Sequence, residues 1–289
     1  MTEPIDLCDA AGRLNPAAAG WARRPLVRAN LAGHPLRKKR WEYWCITDER
    51  SLLAAVIADL DYLAFAGVSV IDLATGERRD RVKVAPGGIE MPQTVRGGLV
   101  ELGGVRLEPG RLLVSMGPIG AEIALAPPAG DSLQVVVPWT PDRFQLTCEQ
   151  IGVRASGWIR CGERTTVLGT CAWAALDCGR GVWPVRASWN WAAAAGGDLA
   201  FNLGARWSDT ENAFFERGAI RHFDERVRFG DRRIDGPSVA LEFTPILTRN
   251  LGWPGVAGLR WSAGRFSGRI GGREIARLFG WSERFDVLW

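Results

Sequence analysis

The sequence predicts an all-β fold: two consecutive lipocalin-like antiparallel β-barrels, or sandwiches, packed together with few short helices. Three observations predict it. From residue 85 onward, turn signals recur at the spacing of short strands. The runs between them alternate or are briefly apolar, and helical spacing is scarce. The 35 glycines and 16 prolines punctuate strands better than helices.

Taken in order, residues 1–35 hold turns at Asn15-Pro16 and Arg24-Pro25 and no clear period, so they read as an arm laid over the body. Residues 38–47 (KKRWEYWCIT) alternate. Trp41, Tyr43, Cys45 and Thr47 share one face, and Arg40, Glu42, Trp44 and Ile46 the other. Strands follow at 51–58 and 62–73, broken by Asp59-Leu60-Asp61, and Thr75-Gly76-Glu77 turns into 78–84. Pro86-Gly87-Gly88, Gly97-Gly98, Gly103-Gly104, Pro109-Gly110, Gly117-Pro118 and Pro127-Pro128 then bracket short runs such as 111–116 and 132–137. A boundary at Pro127–Gly130 or Pro138–Pro141 divides the chain into an arm (1–35), a first barrel (36–138) and a second (139–289). Strand-like stretches in the latter are 143–149, 151–160, 164–175, 185–193, 198–208, 219–229, 238–243, 256–261 and 264–270. Residues 273–279 (REIARLF) have the spacing of a helix of two turns at most, and 210–216 of one turn. Trp41-Glu42-Tyr43-Trp44 is echoed by Trp189-Asn190-Trp191, 148 residues on, an offset that a duplicated β unit would produce.

Composition narrows the function classes. A chain of 289 residues with 47% hydrophobic and 24% charged content is an ordinary globular composition. The opening MTEPIDLCDA is not a secretory signal and no run of eighteen apolar residues exists, which predicts a soluble cytoplasmic protein with its six cysteines reduced. The net charge of +4 arises from 36 bases spread among 32 acids, unlike the clustered excess of a dedicated nucleic-acid binder. Arg37-Lys38-Lys39-Arg40 beside Trp41, Tyr43 and Trp44 would suit single-stranded nucleic acid. Without a second basic run, it reads better as a solvated strand entry covering an edge.

Two histidines, His34 and His222, are too few for a three-histidine metal site, and no cysteines stand two to four residues apart as a structural zinc needs. Phosphate-binding glycine loops and a G-x-S-x-G elbow are absent. The reading therefore assigns no metal and no cofactor. The partner it assigns is a lipophilic small molecule, with neither nucleic acid nor a transmembrane segment.

Fourteen tryptophans against two tyrosines must line a core, a pocket or an interface. Residues 177–191 (DCGRGVWPVRASWNW) gather Asp177, Arg180, Trp183, Trp189, Asn190 and Trp191. On a strand, Trp189 and Trp191 share a face and would build an apolar wall, with polar neighbours to orient a ligand. Residues 202–212 (NLGARWSDTEN) add Asn202, Trp207, Glu211 and Asn212. A carboxylate near such a wall has a raised pKa and can act as acid or base, which marks Asp177 and Glu211 as catalytic candidates. The competing reading makes the indoles plain core, Asp177–Arg180 a turn-stabilising pair and 210–212 a turn with a self-bonded Asn.

The stretches 33–45 (GHPLRKKRWEYWC), 177–184 (DCGRGVWP), 189–191 (WNW), 202–204 (NLG), 211–212 (EN) and Gly280-Trp281-Ser282-Glu283 through Trp289 resemble the bacterial domain-of-unknown-function family 2804 across nearly the whole chain. That resemblance implies fold and kinship and transfers no catalytic residue. More loosely, paired barrels and GRFSG at 264–268 resemble the lipocalin-like tandem-barrel group of tocopherol cyclases, carotenoid hydratases, AttH-like proteins and some Diels–Alderases. Three functions stay open: a cofactor-independent cyclase, hydratase or isomerase, a carrier of a lipophilic ligand, and an interaction protein without a cavity.

Overall fold

The computed structural model describes residues 1–127, 130–253 (of Trp253 the backbone only) and 255–288. Part of the expected Pro127–Gly130 turn, and Trp289, lie outside these. Among the described residues the regular elements are all strands save one 3-10 turn at Pro16–Ala18, and no helix is long and apolar enough to cross a membrane. The two short helices expected at 210–216 and 273–279 are strands. In the second, Phe266 pairs with Leu278 but Gly268 with Ile275, so a bulge lets residues three apart both reach the core.

The chain forms two compact units, Met1–Trp183 and Pro184–Trp289. This moves the expected boundary from 138 to 183. In the first unit the arm carries β1 (Ile5–Asp6), β2 (Gly20–Ala22) and β3 (Val27–Arg28). The sheet follows with β4 (Lys38–Thr47), β5 (Ser51–Asp59), β6 (Leu63–Asp72), β7 (Arg78–Pro86), β8 (Val100–Leu102) and β9 (Val105–Glu108). It is completed by β10 (Arg111–Met116), β11 (Ile119–Leu125), β12 (Leu133–Thr140), β13 (Arg143–Cys161), β14 (Arg164–Val167) and β15 (Trp173–Val182). Its order is β7-β6-β5-β4-β15-β13-β11-β10-β9-β8, with β12 and β14 on β13. The boundary lies late because β13 pairs with β11, β12 and β15, and β15 returns to β4. The sheet cannot close without residues 143–182.

The second unit holds β16 (Arg186–Gly196), β17 (Leu199–Ala205), β18 (Asn212–Glu216), β19 (Ala219–Phe223), β20 (Arg228–Phe229), β21 (Arg233–Gly236), β22 (Val239–Trp253), β23 (Ala257–Ile270) and β24 (Arg273–Leu288). Its order is β19-β18-β17-β16-β24-β23-β22-β21-β20. In both units the first long strand lies between its hairpin partner and the unit's last strand. The two curled antiparallel sheets form near-barrels of matching topology.

Alternation along each strand sets what is inside. The first interior gathers Trp44, Ile46, Ala174, Leu176, Cys148 and Cys178 with apolar residues of β5, β6 and β8–β11. The second is filled by Phe201, Phe214, Phe243 and Phe266 around the small Ala192 and Ala194.

The arm packs Leu7, Leu14 and Val27 against Val136, Phe144, Leu146 and Val182. Its β2 pairs with β12, and the buried Gln134 Oε1 accepts the N–H groups of Leu26 (2.8 Å) and Val27 (3.1 Å). Replacing Gln134 with Ala orphans both donors. We expect a loss of about 1–3 kcal/mol, read as a lower urea midpoint at unchanged slope.

Candidate functional site

Strand β15 lies between β13 and β4 and has two chemically different faces. Ala174, Leu176, Cys178 and Arg180 point into the near-barrel, while Asp177, Gly179 and Gly181 point to the outer face. Asp177 and Arg180 therefore stand on opposite faces, because three residues along a strand reverse the face.

On the outer face, Glu149 of β13, Asp177 of β15 and Tyr43 of β4 stand in direct register. Trp41 pairs with Gly179, and its Nε1 donates to Asp177 Oδ2 at 3.0 Å. A Cβ on Gly179 would lie 2.0 Å from the Trp41 ring, and one on Gly181 2.4 Å from the Phe144 carbonyl. The glycines of the DxGRGxWP motif thus seat an indole and a neighbouring strand. Trp183 meets Trp41 edge to face, centroids 5.1 Å apart, and its Nε1 donates to Gln145 Oε1 at 2.5 Å.

Glu149 is buried and Asp177 half-buried, with Asp177 Oδ1 shielded from water. Burial pushes the Asp177 carboxyl up to about 7, against the hydrogen bonds from Trp41 and Glu149 and the charge of Arg180. Glu149 and Asp177 thus place two carboxyls at paired positions on adjacent strands, and the one on β15 carries the raised pKa.

On the inner face, Arg180 donates to the carbonyls of Trp41, Gly179 (2.8 Å) and Pro92 (3.4 Å). Glu42 stands opposite Cys178 and accepts from Trp44 Nε1 at 3.2 Å. Burial raises its pKa, opposed by Arg180, Trp44 and Arg96. Burial also drives the Cys178 thiol up to about 12.

The basic run is not a solvated entry. Arg37 donates to the Trp183 carbonyl (2.5 Å), Lys38 pairs with Asp61 (3.2 Å), and Arg40 with Asp59 (2.5 Å). Lys39 is buried, donates to the Leu60 carbonyl at 2.9 Å, and is lowered to about 8, chiefly by burial. All four cations fasten the start of β4.

The remaining candidates belong to the second unit. Trp189 and Trp191 do share a face, but it is the one opposite Ala192, Ala194 and the phenylalanine core. Their indoles do not line that near-barrel; small alanines on the inner face leave its space to phenylalanine rings. Trp191 packs edge to face on Trp281 (5.6 Å) and Trp189 on Trp207 (5.9 Å), while Trp189 and Phe285 are tilted at 36° with centroids 4.5 Å apart. Asn190 lies on the inner face near the strand's start. Asn202 accepts from Trp191 Nε1 (2.6 Å) and donates to the Glu211 carbonyl (2.8 Å), while Asn212 accepts from Gly204 N (2.8 Å) and donates to the carbonyls of Asp209 and Glu225. Both asparagines fasten the 206–211 loop. Glu211 is buried at its end, where a Cβ on Gly204 would lie 3.3 Å from Oε2.

The two units match in this chemistry. Trp191 pairs with Glu283 as Tyr43 pairs with Asp177, and Trp189 Nε1 donates to Glu283 Oε1 at 2.8 Å, as Trp41 does to Asp177. Where Glu149 faces Asp177, Trp261 faces Glu283. The carboxyl pair is therefore particular to the first unit. Glu149, Trp41, Gln145, Glu42, Arg96 and Glu283 escaped the sequence reading; the alternation of 38–47 was the one signal that could have pointed to Trp41 and Glu42.

The model for Domain of unknown function (DUF2804) matches residues 1–289. No curated protein matches. Among solved structures the chain is similar to a putative AttH from Nitrosomonas europaea (17% identity, TM-score 0.58, 90% of this chain and 98% of that one). It is also similar to CghA (12%, 0.57, 98% and 97%) and to kievitone hydratase from Nectria haematococca (13%, 0.45, 87% and 89%). At these identities the likeness is one of fold.

Because Asp177 holds its proton in the folded state up to about pH 7 and in the unfolded chain only to 3.8, it makes stability fall as pH rises between those values. Asp177→Asn, which keeps an acceptor for Trp41, should flatten that slope. It should also raise the melting temperature at pH 8 by a few degrees. Thermal melts of both proteins across pH 4 to 8 check it.

Proposed function

The chain belongs to the DUF2804 family, and from that premise we propose that it is a cofactor-independent acid catalyst acting on a lipophilic small molecule, by isomerisation, hydration or cyclisation. One observation carries the reading: Glu149 and Asp177 form a buried carboxyl pair beside Trp41, with the Asp177 proton held up to about pH 7. A general acid works best when its pKa lies near the working pH. Asp177 gives its proton to carbon or oxygen of the substrate, and Glu149 shares the resulting charge. The faces of Trp41 and Trp183 stabilise positive charge developing on the substrate. Glu211 has no part in this reading, since its loop is fastened within the second unit.

The carrier reading draws on a different observation. Gly179 and Gly181 are fully used in seating Trp41 and the Phe144 backbone, which a protein built only to hold a ligand would also need.

The experiment is incubation in D2O with a panel of isoprenoid, polyketide and fatty-acid olefins, followed by mass spectrometry. The wild type should place solvent deuterium on substrate carbon. Asp177→Asn should lose the labelling by about a hundredfold or more, the scale of general-acid catalysis, and Glu149→Gln should shift its pH profile. Labelling by Asp177→Asn at the wild-type rate would refute the acid assignment, and binding without labelling would favour the carrier.

A further inference from the structure

The interior of the first near-barrel, on the far side of β15 from Asp177, holds an unbalanced set of charges. Arg180 is 3% exposed and donates to carbonyls alone; no carboxylate of the described residues lies within 4.0 Å of its guanidinium. Arg96 is bonded to Gln150 Oε1 at 3.2 Å and lies over the Trp44 ring at 5.4 Å, again without a carboxylate. Glu42 is the one acid whose charge acts on both, and burial favours its neutral form. Neither guanidinium therefore has a carboxylate of the described residues at ion-pair distance, and a buried charge left so is costly.

The segment that brings Arg96 there is irregular and packs on the interior. Residues 87–99 form neither strand nor helix between β7 and β8. They rest on the interior through Ile89, Met91 and Val95 and are tied to the arm by Ala29 N donating to the Gln93 carbonyl at 2.8 Å. Arg96 sits at φ 53°, a left-handed conformation that an arginine adopts at a cost. Such strain concentrates at binding sites. Pro92 offers Arg180 a carbonyl at 3.4 Å, long for a charged donor, which prefers about 2.7–2.9 Å. A carboxylate would satisfy the fork better than this carbonyl does.

We propose that this interior receives the carboxylate of a small lipophilic acid between Arg96 and Arg180, with residues 87–99 as its cover and the apolar core around Met91 holding the tail. The site faces away from the Glu149–Asp177 pair, so it stands or falls apart from the acid chemistry.

The test is calorimetric titration of the full chain with octanoate and, as neutral match, 1-octanol. Wild type should bind octanoate about tenfold more tightly than octanol. Arg96→Met should lose about tenfold or more in octanoate affinity and keep that for octanol. Arg96→Gln should lose octanoate affinity likewise and keep that for octanol. A wild type that binds octanoate no better than octanol overturns the proposal, as does Arg96→Met with undiminished octanoate affinity. Should Arg96→Met fail to fold in a thermal melt, Arg96→Gln decides: undiminished octanoate binding overturns the proposal, and a selective loss of it supports it.

Discussion

The first unit is organised by the seating of an indole on bare backbone. Trp41 lies over Gly179 because no side chain stands in its way, and from there its N–H reaches Asp177. That contact joins the first long strand to the last, which is the closure of the sheet. It also fixes Asp177 beside Glu149 and holds Trp183 edge-on. Any side chain at 179 would displace the ring, and with it the donor that keeps the buried carboxyl in place. The motif Asp-x-Gly-x-Gly is thus a single device in which the glycines make room and the acid accepts.

The same strand is a partition between two buried polar systems of opposite sign. Outward lie two carboxyls, Asp177 with a raised pKa; inward lie two guanidiniums and one carboxyl with a raised pKa. Buried charges are tolerated only when hydrogen-bonded or paired. Each side uses the β4–β15 pairing differently: the outer acid takes the Trp41 indole N–H, and Arg180 takes the Trp41 carbonyl from within. One residue therefore anchors both. Its conservation of geometry matters more to the chemistry than that of any single acid.

How much of this was legible in the sequence follows from which forces are local. The strands, turns and duplicated tryptophans were legible, because alternation and glycine-proline punctuation act over a few residues. The strand at 273–288 was not, since a bulge brings Ile275 and Leu278 to one core and so imitates a helical spacing. Asp177 was legible as a perturbed acid, yet its partner Glu149 was not, because register between strands is set by the whole sheet. Arg180 looked like a neighbour of Asp177 and lies behind it. Asn202 and Asn212 looked like ligand-binding groups; their amides bond the Trp191 indole, Gly204 N and the carbonyls of Glu211, Asp209 and Glu225. The sequence distinguishes polar groups that fasten a loop from those that await a ligand only through partners far along the chain.

Comparison of the two units shows which parts of the device are scaffold. Both retain an indole N–H donated to a carboxylate on the closing strand, Trp41 to Asp177 and Trp189 to Glu283, so this bond belongs to the repeated fold. What lies under the indole differs: bare glycine in the first unit, and the Phe285 ring in the second. The facing position differs too, Glu149 against Trp261. The residue that faces the acid, and not the indole bond to it, is therefore what sets the two units apart: in the first a second carboxyl stands opposite, and in the second a ring does.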